Sequence, residues 1–512
     1  MRNVLEYLEE GALKSNPDGV AIQDGDRSVS FRQLSDKARA LGTLIARQCG
    51  SSNQPIAVFL PKSLEVVVSD LAILYSGNFY TNIDDKTPSE RLERLLRNIQ
   101  PVLLITSQQA ADPLRKVVPP STVLLCIDEV VLEPIACDST LLDKIRRRMI
   151  DTDPICLINT SGSTGTPKSV VLSHKGTLDF MNWCFKNFEF EAKDRIGSLS
   201  PLHFDIYTLE LIVALSTGSS IFLIPERTAA FPAFITEFLH LHQISFVFWV
   251  PTIMVNIANL GLLESTPLPN LRRVFFAGEV FPTKQLNVWR RALPHTEFVN
   301  LYGPIEIHVD CTFFILDRPF ADNEPIPIGF PCSNTEILII TDDNRIANEG
   351  ELGELCVRGT SLGLGYYNNP DLTAKVFCQN PLHNKYQDFI YRTGDLAYRN
   401  DRGEIMFAGR KDFQIKHSGY RIELGEIETA VVALDEIRNA CAVYDSIKKE
   451  IVLFFESPID LSSGDLRSRL QTSLPKYMIP TRYIRVDELP RNPNGKIDRN
   501  QLSTSLSSIS PN

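Results

Sequence analysis

The stretch from Asn159 to Lys168 reads Asn-Thr-Ser-Gly-Ser-Thr-Gly-Thr-Pro-Lys and follows the apolar run Ile155–Ile158. The glycines Gly162 and Gly165 let backbone N–H groups approach an oxyanion closely. The hydroxyls of Thr160, Ser161, Ser163 and Thr164 add hydrogen bonds, and Lys168 adds a point charge. This is chemistry for a polyphosphate. It is not a Walker loop, because Pro167 stands where the second required glycine would fall, counting from Gly162. The bland alternative is a Ser/Thr/Gly surface turn. Ten cysteines are scattered with no C-x-x-C and no Cys/His cluster, which argues against a zinc site or a disulfide framework.

The elements that must position this loop alternate along the chain. Ile56–Leu60, Val102–Thr106, Val123–Ile127, Ser220–Ile224 and Val274–Ala277 read as short buried strands. Leu64–Ser76 reads as a helix, and Leu211–Thr217 as the end of one. Such alternation predicts an α/β fold: a large N-terminal domain of parallel-rich sheets covered by helices. From about Gly409 the pattern changes. Helices are expected at Glu423–Ala433 and Asp465–Leu474, and strands at Ala440–Tyr444 and Glu450–Phe455, giving a small α+β C-terminal domain. The expected division is 1–411 and 412–512. The chain of 512 residues has 52 basic and 62 acidic residues, a poor balance for gripping nucleic acid or an anionic membrane. No apolar run approaches the ~18 residues of a membrane span, and Met1–Glu10 lacks a signal-peptide core, so a cytoplasmic protein is expected.

Several segments, in order, resemble the adenylate-forming enzymes: acyl-CoA synthetases, luciferases and the adenylation domains of nonribosomal peptide synthetases. Thr160–Lys168 is similar to that family's phosphate loop. Leu71–Asp85, Asn300–Glu306 (NLYGPIE), Gly353–Gly359 (GELCVRG), Tyr391–Leu396 (YRTGDL), Gly409–Glu428 and Asn492–Arg499 (NPNGKIDR) resemble its other motifs. The Gly-Arg-x-Asp and Asn-Gly-Lys elements resemble the amino-acid-activating branch.

The resemblance implies an AMP-forming ligase that uses ATP and Mg²⁺. Thr160, Ser161, Gly162, Ser163, Thr164, Gly165 and Lys168 would handle the β- and γ-phosphates, and Glu306 would hold the metal. Glu306 also reads as an acid at a helix start. Tyr302 would stack on adenine, Asn300 would read its amino edge, and Ala277, Gly278, Glu279 and Gly303 would border the purine site. Asp395 would take the ribose hydroxyls with Arg410 beside it. Lys496 would be the catalytic lysine between carboxylate and α-phosphate, carried on the small domain, with Asp412 as hinge. After Lys416 this chain has His417-Ser418-Gly419 where many relatives have Ile-Arg-Gly. That segment resembles the one lining the pantetheine channel after the small domain rotates.

For the substrate, Asp205 resembles the aspartate that pairs with an α-ammonium; otherwise it caps a helix starting near Ile206. Ile206, Leu209, Phe248, Phe275, Leu301, Val309 and Asp310 complete the implied pocket with Ala277 and Lys496. The apolar set resembles stand-alone L-prolyl–carrier-protein ligases, so L-proline is the expected substrate. Asp310 leaves a second reading, a basic amino acid such as ornithine or arginine, unless it pairs with a protein group such as His308. An acyl- or aryl-CoA ligase and a catalytically dead binding protein are the remaining alternatives. The expected partner is a separate phosphopantetheinylated carrier protein of secondary-metabolite biosynthesis, with no carrier or condensation domain fused.

Overall fold

Two apolar helices set the frame. Leu64–Tyr75 and Ile206–Thr217 are buried on nearly every side, which requires packed layers on both faces. Leu64–Tyr75 touches Pro55–Phe59 and Phe79–Asn82 of one sheet and Val20–Asp24 of another. Ile206–Thr217 packs on Arg195–Ser198, Ser220–Leu223 and Phe246–Trp249. The computed structural model of the protein describes residues 1–129, 137–162, 167–228, 230–491 and 497–506.

The first sheet has seven strands, in the order Gly365–Tyr366, Lys168–Ser173, Pro154–Thr160, Phe79–Asn82, Pro55–Phe59, Leu103–Thr106 and Val123–Cys126. The second has nine, with Glu297–Tyr302, Arg273–Phe276 and Phe246–Trp249 side by side near its centre. Both are parallel inside, as the alternating pattern predicts; the nine-stranded sheet turns antiparallel at both edges, the seven-stranded one only on its Gly365–Tyr366 side, its other edge strand Val123–Cys126 pairing in parallel. A third sheet, built on Gly353–Gly359 and Phe389–Arg399, is antiparallel throughout. The fold is therefore α/β, with a large N-terminal domain and a smaller C-terminal one. The expected elements recur within a few residues of their expected ends, for example Pro55–Phe59, Leu64–Tyr75 and Ser220–Leu223.

The smaller domain carries the hairpin Gln414–His417/Tyr420–Glu423 and a three-stranded sheet of Asn439–Asp445, Glu450–Glu456 and Arg482–Arg485. Alternate residues of that sheet face opposite sides. Ala440, Ala442 and Leu453 meet Ile427 and Val431 of the helix Leu424–Val432. Cys441, Val443 and Phe454 meet Leu502 of the helix Arg499–Ser505. The Ser418-Gly419 turn of the hairpin has φ of 53° and 83°. Positive φ at both central positions suits the twist of a two-residue hairpin loop, and Gly419 adopts it freely.

Candidate active site

Strand ends from both large sheets converge on a cavity of about 330 Å³, the size of a small-ligand site. Beside the cavity but not in its lining, the strand Pro154–Thr160 delivers Thr160, Ser161 and Gly162. Ser163, Thr164 and Gly165 lie outside the described residues. Ser161 Oγ donates to the Arg421 carbonyl at 2.7 Å and accepts from the Glu423 N–H at 3.0 Å. The Gly162 N–H donates to Glu426 Oε2 at 3.1 Å. Lys168 Nζ donates to Glu423 Oε1 at 2.9 Å.

Glu306 is fully buried in the short turn Ile305–Ile307. Arg421 donates to one carboxylate oxygen and Tyr366 to the other, both at 2.7 Å. Burial pushes this carboxyl up, but the Arg421 charge and then the Tyr366 bond outweigh burial and hold it at about 2.

Tyr302 ends the strand Glu297–Tyr302, and its hydroxyl donates to Asp395. Asp395 also accepts from Arg410 at 2.5 Å, and Arg410 donates to Asp412 at 2.6 Å. The Lys416 ammonium stands 5.6 Å from the Tyr302 ring centre. Gly303 lies where a Cβ would come within 2.4 Å of the Asp310 Cα, so only glycine fits. Ala277 and Gly278 border the cavity. Glu279 accepts from the Thr252 N–H at 3.1 Å and the Gly419 N–H at 2.8 Å. Asn300 Nδ2 donates to the Pro327 carbonyl at 2.8 Å and does not face the cavity.

Asp205, Ile206, Phe248, Val309 and Asp310 line the cavity. Asp205 precedes the helix Ile206–Thr217 but makes no side-chain cap bond to it, so the capping alternative fails. Burial pushes its carboxyl up to about 7. Asp310 is pushed well above the carboxylate range by burial and then by the Asp205 charge, and its Oδ2 has no hydrogen-bond partner among the described residues. The suggested His308 partner is corrected. His308 Nδ1 bonds the Ser361 carbonyl at 2.8 Å, and Nε2 accepts from the Ser173 N–H at 2.8 Å. Val309, a β-branched residue at φ 62°, is strained backbone that this packing holds in place.

Leu209, Phe275 and Leu301 do not line the cavity, contrary to expectation. They are buried one layer behind it, with Phe275 packed edge-on against Phe248, ring centres 5.9 Å apart. Lys496 lies outside the described residues. The residues bracketing it, Arg491 and Ile497, pair in a bridge, and Ile497 packs on the sheet face opposite the helix Leu424–Val432. Arg421, Glu423 and Glu426, which the small domain brings against Ser161, Gly162 and Lys168, carried no such expectation in the sequence.

Residues 8–367 match the family model described as AMP-binding enzyme, and 426–496 match the model of its C-terminal domain. The chain belongs to the AMP-binding enzyme family. Membership brings AMP-forming ligase chemistry with ATP and Mg²⁺. Among curated AMP-binding relatives, zwittermicin A synthase ZmaJ of Bacillus cereus is 30% identical over 514 residues, covering 98% of this chain and 95% of that one. Tyrocidine synthase 1 of Brevibacillus parabrevis is 30% identical over 508 residues, covering 98% of this chain but only 45% of its own length. The chain thus spans less than half of several curated relatives it matches. In fold it resembles the Vibrio cholerae adenylation domain AlmE, solved in complex with glycyl-adenosine-5'-phosphate (TM-score 0.84, 23% identity, 99% of this chain and 98% of that one). These likenesses are to adenylation enzymes of the nonribosomal-peptide type. No helix of the described residues is long and apolar enough to cross a membrane.

Proposed function

We propose that the protein activates an amino acid as its adenylate and passes the acyl group to the phosphopantetheine thiol of a separate carrier protein. The amino-acid carboxylate attacks the α-phosphorus of ATP, the bond from that phosphorus to the bridging oxygen breaks, and pyrophosphate leaves. The thiol sulfur then attacks the acyl carbon, the acyl–phosphate bond breaks with release of AMP, and the thiol proton goes to solvent. The observation that carries this reading is Asp205, a buried carboxylate that lines the cavity with Ile206, Phe248 and Val309, where it can pair with an ammonium.

At the nucleotide end, Thr160, Ser161, Gly162 and Lys168 would hold the outer phosphates, Tyr302 the adenine, and Asp395 with Arg410 the ribose. Asn300, whose Nδ2 is committed to the Pro327 carbonyl and whose side chain lies off the cavity, is assigned no adenine contact. Glu306 would hold Mg²⁺, a reading supported by the ionised, oxygen-donor carboxylate that already accepts from the Arg421 guanidinium. Bound there, the metal would offset charge on the phosphates. Lys496 would serve the first half-reaction after the small domain, taken as 412–512, turns about Asp412.

L-Proline is the first candidate substrate, because Ile206, Phe248, Ala277 and Val309 form a compact apolar wall. A second reading is favoured by the unpartnered Asp310 oxygen: a basic amino acid whose side-chain cation sits at Asp310. Trapping with hydroxylamine tests the activation step. Protein, ATP, Mg²⁺ and amino acid should give the aminoacyl hydroxamate without CoA or carrier. Hydroxamate from plain carboxylic acids but from no amino acid would overturn the reading in favour of an acyl-CoA ligase.

A further inference from the structure

The segment that ends in Asp205 belongs to the nine-stranded sheet but is held by side chains of the seven-stranded one. Ser198 closes the strand Arg195–Ser198, and residues 199–205 lead from it to the helix Ile206–Thr217. Leu199, Ser200, Pro201, Phe204 and Asp205 of this segment line the cavity. Ser198, Leu199, Ser200, Leu202 and Asp205 are buried, so the backbone carbonyls here need partners. Lys62 follows the strand Pro55–Phe59. Its Nζ donates to the Ser198 carbonyl at 2.8 Å and to the Ser200 carbonyl at 3.0 Å. Asn82 ends the strand Phe79–Asn82, and its Nδ2 donates to the Leu202 carbonyl at 3.0 Å. The same Nδ2 donates to Asp70 Oδ2 at 3.0 Å, which fixes the direction of the amide. Alternate carbonyls, of 198, 200 and 202, are thus gripped in a row. Of the acids acting on the Lys62 charge, Glu210 acts most strongly, and it is fully buried on the helix that Asp205 precedes. Packing holds the turn less tightly. Two voids, of about 20 and 10 Å³, adjoin Asn82, Leu202 and His203.

We propose, resting on the amino-acid reading above, that Lys62 and Asn82 are positioning residues for Asp205. They fix the backbone of 198–202 and, through it, the place of the carboxylate that takes the substrate ammonium. Neither side chain lines the cavity, so neither touches the substrate. A binding carboxylate serves only when held within ~0.5 Å of its productive place, by groups that are themselves locked. Removal of either donor leaves a buried carbonyl unpaired, and the turn shifts to find another partner. The voids beside Leu202 give it room to do so. That shift moves Asp205 relative to Phe248 and Val309. Tyr302 and Asp395 stand on other strands and stay where they are.

The test is ATP–pyrophosphate exchange by the whole chain, with amino acid and ATP varied in turn. The probe is whichever of L-proline, L-ornithine and L-arginine exchanges best. Asn82→Leu and Lys62→Met should each raise the amino-acid KM about tenfold, as one unpaired buried acceptor would, and leave the ATP KM near wild type. Lys62→Arg keeps donors for the carbonyls and should restore most of the loss. Added to Asp205→Ala, Asn82→Leu should lower the amino-acid kcat/KM no further, because it acts through a carboxylate that is gone. A merely structural role would add its loss to that of Asp205→Ala, or would move both KM values together. An unchanged amino-acid KM in Asn82→Leu and Lys62→Met, or full additivity in the double variant, overturns the positioning role and leaves the amino-acid reading intact. No exchange with any of the three amino acids, or an unaltered amino-acid KM in Asp205→Ala, overturns both. If Asn82→Leu does not fold, the pair Lys62→Met and Lys62→Arg decides.

Discussion

The two ends of the cavity treat charge in opposite ways. At the end proposed to take the nucleotide, Asp395 meets Arg410, Glu306 meets Arg421, and Lys168 meets Glu423. At the end proposed to take the amino acid, Asp205 and Asp310 lie in one apolar wall, both pushed up by burial, and Lys416 is a cation acting on both. A buried charge is tolerated only when paired or neutralised. The proposed nucleotide end meets that requirement with protein groups, two of them, Arg421 and Glu423, from the small domain. At Asp205 and Asp310 burial favours the protonated carboxyl instead, and under the proposed function a substrate ammonium would take over that role at Asp205.

The largest expected effect breaks the amino-acid end. Asp205→Ala should cost ~3–5 kcal/mol in amino-acid binding, since it strands a desolvated ammonium, while the ATP KM stays unchanged. Exchange kinetics with each substrate varied in turn check this; a matching loss for ATP would contradict it.

Next is Lys496→Ala, which should lower adenylate formation by ~10²–10³ through loss of one electrostatic stabiliser. ATP binding and the melting temperature should stay near wild type. A variant within threefold of wild type would show that another residue fills the role.

Asp310→Asn sharpens the comparison. A basic substrate should lose at least tenfold in kcat/KM, whereas L-proline should be little affected; the relative rates of proline, ornithine and arginine in wild type and variant separate the two readings.

The smallest effect is on stability. In the folded protein Asp205 keeps its proton up to about pH 7 and Asp310 keeps its proton well above the usual carboxylate range. An unfolded aspartate releases its proton near pH ~4. The folded state binds more protons across that window, so stability falls as pH rises through it. Asp310→Asn should make the decline in Tm between pH 5 and pH 8 shallower. A decline as steep as wild type would mean that Asp310 is ionised throughout.

Among the residues proposed for the nucleotide, the sequence made the local groupings readable, because a Gly/Ser/Thr/Lys run after a strand and single acids in short motifs are local signals. Tyr302, Asp395 and Arg410 indeed come together. The amino-acid wall was readable only in part. Leu209, Phe275 and Leu301 lie near the wall in sequence, yet the aromatic packing around Phe275 draws that layer into the core. Glu423 and Glu426 were the least readable. Each resembles an acid at the start of the helix Leu424–Val432, where the dipole alone would favour it. Their use depends on where the small domain docks, a long-range contact that no local spacing encodes. Arg91, which completes the Glu426 pair, comes from a helix more than three hundred residues away.

The central claim, activation of an amino acid, is tested most directly by amino-acid-dependent ATP–pyrophosphate exchange with L-proline, L-ornithine, L-arginine and L-valine, without CoA or carrier. Exchange above background with L-proline or a basic amino acid, and least with L-valine, is the predicted result. Exchange that appears only when CoA is added, or only with carboxylic acids lacking an amino group, would contradict it.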